Sequence, residues 1–134
     1  MDRVFLDANV LFSAAYRDTS ALAQLWTLPE TRLITSRYAI EEARRNLDKP
    51  EQQSRLLRLV DAIEIVPDED VIAVEIVGVD LPVKDWPILW AAVVAKATHL
   101  LTGDLRHFGP YFGQSVAGVL IQRPADYLRA QDAQ

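Results

Sequence analysis

The sequence contains no cysteine, which excludes disulfides, thiolate metal sites and cysteine nucleophiles and suits a reducing compartment. Glycine is scarce, at five residues, and none falls into the G-x-G-x-x-G or Walker pattern that cradles phosphates. The helical zinc signature H-E-x-x-H is absent as well, the two histidines being His99 and His107. No apolar run is long enough to span a membrane, and the opening MDRVFLDANV lacks the profile of a signal peptide. A cytoplasmic protein with no membrane partner is expected. Positive charge is in the minority too: 14 Lys and Arg against 19 Asp and Glu give a net charge of −5. Bulk electrostatics therefore opposes nucleic-acid binding, unless local basic patches or a metal ion bridge the like charges.

What is present is an ordinary globular composition, half apolar and a quarter charged over 134 residues. That length fits a single domain over residues 1–134 with a core that needs no staples. Val4-Phe5-Leu6 reads as a buried strand, and residues 8–28 as one or two helices. Leu33-Ile34-Thr35 is a second strand. Ser36 stands where an N-cap belongs, before a helix carrying Tyr38, Ile40, Ala43 and Leu47 that is expected to end at Pro50. A further helix follows, with Arg55 and Arg58 expected to face out. Residues 62–66 suggest a third strand, and residues 68–77 fit neither period. Asp85 and Pro87 open a helix that is apolar nearly all round, as a central helix should be. Leu100-Leu101-Thr102 and Val116–Ile121 read as the last strands, and Pro124 starts a final helix.

Short apolar strands alternating with helices imply a parallel α/β sheet covered on both faces. Ligands of such sheets sit beyond the carboxyl ends of the strands, which directs attention to Asp7 and Asp104. Asp7 follows an all-apolar strand, where a charge needs a partner or a cation, though an Asp there also caps a following helix. Asp85 before Trp86-Pro87 is equally a helix start, and Asp104 after Gly103 equally a turn residue. Glu41 and Glu42 sit beside Arg44 and Arg45, as on a solvated face with local ion pairs. Taken together, several carboxylates around an open site suit Mg²⁺ or Mn²⁺, which prefer oxygen ligands. Arg37, Arg44, Arg45, Arg55 and Arg58 could supply a local phosphate-binding face. Gly113-Gln114-Ser115-Val116-Ala117 approaches the nucleophile elbow of serine hydrolases, but a strand follows it where that motif needs a helix.

The order of these motifs resembles the PIN domain family. Phe5-Leu6-Asp7-Ala8-Asn9-Val10-Leu11 is similar to the family's opening, and SRYAIEEARRNL, from Ser36 to Leu47, to its Ser-started helix with an acid six positions on. Asp85-Trp86-Pro87-Ile88-Leu89 resembles the Asp that heads a buried helix. Leu100-Leu101-Thr102-Gly103-Asp104, with His107-Phe108 after it, resembles the last-strand signature. The resemblance covers residues 4–121. It implies an α/β/α sandwich with a short central parallel sheet, and an acidic quartet of Asp7, Glu42, Asp85 and Asp104 holding Mg²⁺ or Mn²⁺. The activity implied is endoribonuclease cleavage by a metal-activated water, in the manner of small VapC-like toxins.

Asn9, Thr102, Arg106 and His107 are expected to orient the ligands or hold the RNA, although capping, strand and loop roles suit them equally. The partners expected are RNA, an antitoxin protein and a second copy of the chain. Two departures from the family pattern stand out. Lys84 occupies a place where many members have a second acid, and Glu41 beside Glu42 blurs the second ligand. A PIN-like binding module without catalysis, and a receiver-type domain with one acidic Mg²⁺ pocket, are the rival readings.

Overall fold

The computed structural model describes residues 1–133. Its centre is a six-stranded sheet of β1 (Asp2–Leu6), β2 (Thr31–Ser36), β3 (Glu64–Val66), β4 (His99–Leu101), β5 (Ser115–Val116) and β6 (Val119–Gln122). The strand order is β3-β2-β1-β4-β6-β5, and every neighbouring pair is parallel except β5 with β6. Val4, Phe5 and Leu6 are consecutive and all fully buried. A strand can bury both alternating faces only when helices cover the sheet on each side. The helices are α1 (Ala8–Tyr16), α2 (Arg37–Asn46), α3 (Pro50–Asp61), α4 (Trp86–Val94) and α5 (Pro124–Asp132), with a 3₁₀ turn at Ala21–Thr27. This is the expected α/β/α sandwich, with one antiparallel strand added at an edge.

The sheet order fixes where a ligand can bind. From β1 the chain steps outward through β2 to β3, then returns across the sheet to β4 on the other side of β1. The connections therefore diverge between β1 and β4, and a crevice opens at the carboxyl ends of those two strands. Asp7 follows β1 directly, and Thr102, Gly103 and Asp104 follow β4.

Three local expectations are corrected, and the segment that fitted neither period forms neither element. Residues 116–121 do not form one strand, because Ala117 and Gly118 both take positive φ (50° and 86°) and turn the chain into a hairpin. Two positive φ values in succession suit the two-residue turns that match the twist of paired strands. Pro50 does not stop a helix: α2 ends at Asn46 and Pro50 is the first residue of α3, where a missing N–H costs nothing. Arg55 does not face out. Its guanidinium donates to the carbonyls of Ala15 (3.0 Å) and Tyr16 (3.1 Å), binding the end of α1 to α3. After a 3₁₀ turn at Asp68–Asp70, residues 71–82 form neither helix nor strand. They are tied down by the Trp90 indole N–H, which donates to the Val74 carbonyl at 3.1 Å. No helix among the described residues is long and apolar enough to cross a membrane.

Candidate metal centre

A cleft of about 430 Å³ occupies the crevice beyond β1 and β4, and Asp7, Asn9, Glu42, Lys84, Asp85 and Asp104 all line it. The four acids come from four separate segments. β1 delivers Asp7. Ser36 ends β2 and accepts from the Ala39 N–H (3.2 Å), and the helix it caps carries Glu42 into the wall. Glu41 is turned to solvent and paired with Arg44 at 2.8 Å. The head of α4 supplies Asp85, and the turn after β4 supplies Asp104.

A buried network holds Asp7. Its Oδ1 accepts from the Ala8 N–H at 2.6 Å, so it does cap α1. Its Oδ2 accepts from the Thr102 hydroxyl (2.8 Å) and from Asn9 Nδ2 (3.2 Å). Asn9 Oδ1 in turn accepts from the Gly103 N–H at 2.8 Å, so Asn9 spans the two strand ends. Burial is the main influence on the Asp7 carboxyl and lifts it from 3.8 to about 6, against the opposing hydrogen bonds from Thr102 and Ala8. Crowding by Asp85 and Glu42 adds to the rise but is secondary.

Asp104 keeps its turn role as well. Oδ1 accepts from the N–H groups of Arg106 (3.1 Å) and His107 (3.0 Å). Its Oδ2 lies 3.0 Å from His107 Nδ1.

Asp85 is different. It stands at the N-cap of α4 but has helical φ and ψ and makes no capping hydrogen bond, so the ordinary explanation for an acid there is not realised. Its Oδ2 is buried and has no hydrogen-bond partner. His107 Nδ1 lies 2.9 Å from it and 3.0 Å from Asp104 Oδ2, so a single ring nitrogen faces two carboxylates and cannot satisfy both. Burial raises the Asp85 carboxyl above its usual range; His107 opposes this, and Asp104 reinforces it.

Asp85, Asp104 and His107 each present a ligand atom within 4.8 Å of the others. A buried carboxylate oxygen that makes no hydrogen bond, facing a second carboxylate and a shared imidazole, fits a divalent cation, and the oxygen-rich walls suit Mg²⁺ or Mn²⁺. Sequence reasoning assigned His107 to substrate or loop. Its place between two of the acids was not evident, although its spacing three residues after Asp104 is the turn that brings it back. Arg106 is exposed on the same turn. Tyr38 donates to the Lys84 carbonyl at 2.6 Å. Burial, and then the nearby Glu42 carboxylate, push its phenol up to about 12. Ser115 of the elbow-like segment opens β5 and is exposed, with no helix after it, so that segment has no nucleophile geometry.

No protein-family model matches the chain, and no curated protein matches it. Among solved structures, 13 chains match. One belongs to the crystal structure of VapBC2 from Rickettsia felis bound to a DNA fragment from their promoter. It superposes with a TM-score of 0.62 at 14% identity, over 90% of this chain and 98% of that one. The chain therefore shares the fold of that protein, the PIN-like α/β arrangement that the motif order implies.

Proposed function

We propose that this chain is a metal-dependent endoribonuclease, with residues 1–134 acting as a single PIN-like nuclease domain in the cytoplasm and serving as the toxin of a type II toxin–antitoxin pair. The observation that carries the reading is the buried, unpartnered Oδ2 of Asp85, aimed into a cleft with three further acids at the switch point of the sheet. Asp7, Glu42, Asp85 and Asp104 would hold Mg²⁺ or Mn²⁺, with His107 beside them. Such an ion supplies an activated water and neutralises charge on the phosphate and its leaving oxygen. The rest falls to the chain's own residues. Thr102 and Asn9 fix the rotamer of Asp7, and the Arg106 and His107 amides fix that of Asp104. Lys84, which lines the cleft, and Arg106, on the turn after Asp104, would serve as phosphate contacts. The chain that shares this fold comes from the structure of VapBC2, which supports an antitoxin as partner; RNA and a second copy of the chain are proposed beside it.

RNA incubated with Mg²⁺, with Mn²⁺ or with EDTA tests the reading. Cleavage is expected only with metal, leaving a 5′-phosphate and a 3′-hydroxyl. Cutting that persists in EDTA, or in a purified Asp104→Asn variant, overturns it. Expression in a bacterial host tests the toxin assignment: the wild type should arrest growth and Asp104→Asn should not.

Lys84 in the cleft wall and His107 between two acids favour one alternative, a PIN-like RNA- or protein-binding module without catalysis. The Lys84 ammonium brings positive charge, and the His107 ring nitrogen sits between two of the acids, where an ion would otherwise be drawn. Such a module would show no change in folding or binding on addition of Mn²⁺.

A further inference from the structure

The outer face of α1 leads out of the acidic cleft into a second groove. Phe12 lines both, and the adjoining groove, about 490 Å³, is completed by Ser13, Tyr16, Arg17, Thr19 and Ser20 among others. At a rise of 1.5 Å per residue, Tyr16 stands about 10 Å along the helix from Asn9. The Phe12 and Tyr16 rings lie 5.4 Å apart at 43°. Tyr16 is 46% exposed, although it sits at the end of a helix that is otherwise largely buried. The Arg17 guanidinium lies 5.7 Å from the Tyr16 ring centroid and forms no ion pair among the described residues. No carboxylate lines this groove, in a chain with 19 of them. The Ser13 and Thr19 hydroxyls make no hydrogen bond within the described residues. The backbone that carries the ring is held, because the Tyr16 carbonyl accepts from both Gln52 and Arg55 of α3 at 3.1 Å.

An exposed ring with a guanidinium over it that has no ion pair, beside unpaired hydroxyls, describes a platform for a flat, anionic ligand. From the continuity of this platform with the cleft, we propose that it is a subsite for one nucleotide of a single-stranded nucleic acid. The base stacks on Tyr16 beside Phe12, a neighbouring phosphate pairs with Arg17, and the strand runs along α1 into the acidic cleft. Only an unpaired base offers its face in this way, since a duplex buries that face in its own stack. The subsite rests on the ribonuclease reading for its biological meaning, but not for its test.

The probe is a short fluorescein-labelled oligouridylate, read by anisotropy in EDTA so that cleavage plays no part. Wild type is expected to bind it in preference to a self-complementary duplex. Tyr16→Ala should weaken binding by about 5- to 150-fold, the range that loss of base–aromatic stacking gives, and Tyr16→Phe should restore it. Arg17→Ala, a change outside the helix, should lower the slope of log affinity against log salt by about 1. In Mn²⁺ the Tyr16→Ala loss should fall on KM rather than kcat, because the subsite binds substrate and transition state alike. A deoxyuridylate arm distinguishes RNA from DNA: equal affinity means the 2′-hydroxyl is read elsewhere, as stacking and phosphate pairing require. Equal binding by wild type and both variants overturns the proposal, as does the absence of binding by wild type. A concentration-dependent dimer in sedimentation that Tyr16→Ala dissociates, with oligonucleotide affinity unchanged, overturns it in favour of a second copy of the chain. If wild type binds through Tyr16 yet cuts nothing with either metal, the nuclease reading fails and the subsite stands. If it cuts and Tyr16→Ala has an unaltered KM, the reverse holds.

Discussion

The Thr102 hydroxyl donates to Asp7 Oδ2 at 2.8 Å across the boundary between β4 and β1, and the same oxygen accepts from the Asp104 N–H at 3.1 Å. Both residues are buried, so the bond is shielded from competing water. One side chain thus sets the spacing of two acids that belong to different strands. Removing it leaves the shape but takes one of two donors from Asp7 Oδ2 and leaves the Asp104 N–H without its acceptor. Thr102→Val should therefore destabilise the protein by about 1–3 kcal/mol, the cost of a buried partner left unpaired, and Thr102→Ser should recover most of that. Urea titrations of the three proteins check the order. A neutral Thr102→Val would mean that the network does not hold Asp7.

Asp7 also predicts how metal-free stability depends on pH. Its folded carboxyl titrates near 6 against 3.8 for the free group, because it is buried. Between those values the folded state binds the extra proton, so stability falls as pH rises through this window. The loss attributable to Asp7 is about 3 kcal/mol, at about 1.4 kcal/mol for each tenfold change in proton affinity. Asp7→Asn has no such proton to lose. In EDTA the melting temperature of Asp7→Asn relative to wild type should therefore climb from pH 4 towards pH 7. A constant difference would show that the carboxyl is not raised.

Glu41 and Glu42 test the register of α2. Glu41 is solvent-facing and held by Arg44, whereas Glu42 lines the cleft. Glu42→Gln should reduce metal-dependent cleavage at least tenfold, on the scale of about 1.4 kcal/mol of transition-state stabilisation. Glu41→Gln removes only an exposed ion pair and should leave cleavage within about twofold. Initial rates at saturating Mn²⁺ decide between them. The opposite pattern would place the working acid on the other face of the helix.

The acids at strand ends were legible from sequence because an Asp after an unbroken apolar run has few places to go. β1 and β4 both end in such a residue or close to one, and the sheet topology then brings their ends side by side. Glu42 was half legible: Ser36 as a cap fixed the start of α2, but adjacent residues of one helix point about 100° apart, and sequence alone could not say which entered the cleft. His107 was not legible in its role, since its contact with Asp85 crosses between segments 22 positions apart in the sequence. Arg55 was misread for a related reason. A charged side chain in an amphipathic helix reads as solvent-facing unless a neighbouring helix ends beside it, and here the open carbonyls of α1 do. The hairpin at Ala117-Gly118 was hidden because an Ala at positive φ gives no local signal, and only the Gly after it hinted at a turn.

Asp85 gives the sharpest test of the centre as a whole. Without a cation, its Oδ2 is buried and makes no hydrogen bond, and its one nearby ring nitrogen, His107 Nδ1, is shared with Asp104, which destabilises the charged folded state. Asp85→Asn removes the charge with almost no change of shape and sacrifices no helix cap, because none is made. It should therefore raise the melting temperature in EDTA. Wild type should gain instead from Mn²⁺, by about 2.7 kcal/mol at a hundredfold excess over the dissociation constant, since the ion binds only the folded chain. The variant has lost the ligand that most needs the ion and should gain far less. Two effects of opposite sign are thus expected from one oxygen. A simple capping or turn residue would give neither, because its loss lowers stability and Mn²⁺ does not alter it. Thermal melts of both proteins in EDTA and in Mn²⁺ supply all four values. Equal shifts in wild type and Asp85→Asn on adding metal would mean that the ion is held without Asp85 and that the orphaned oxygen has another cause.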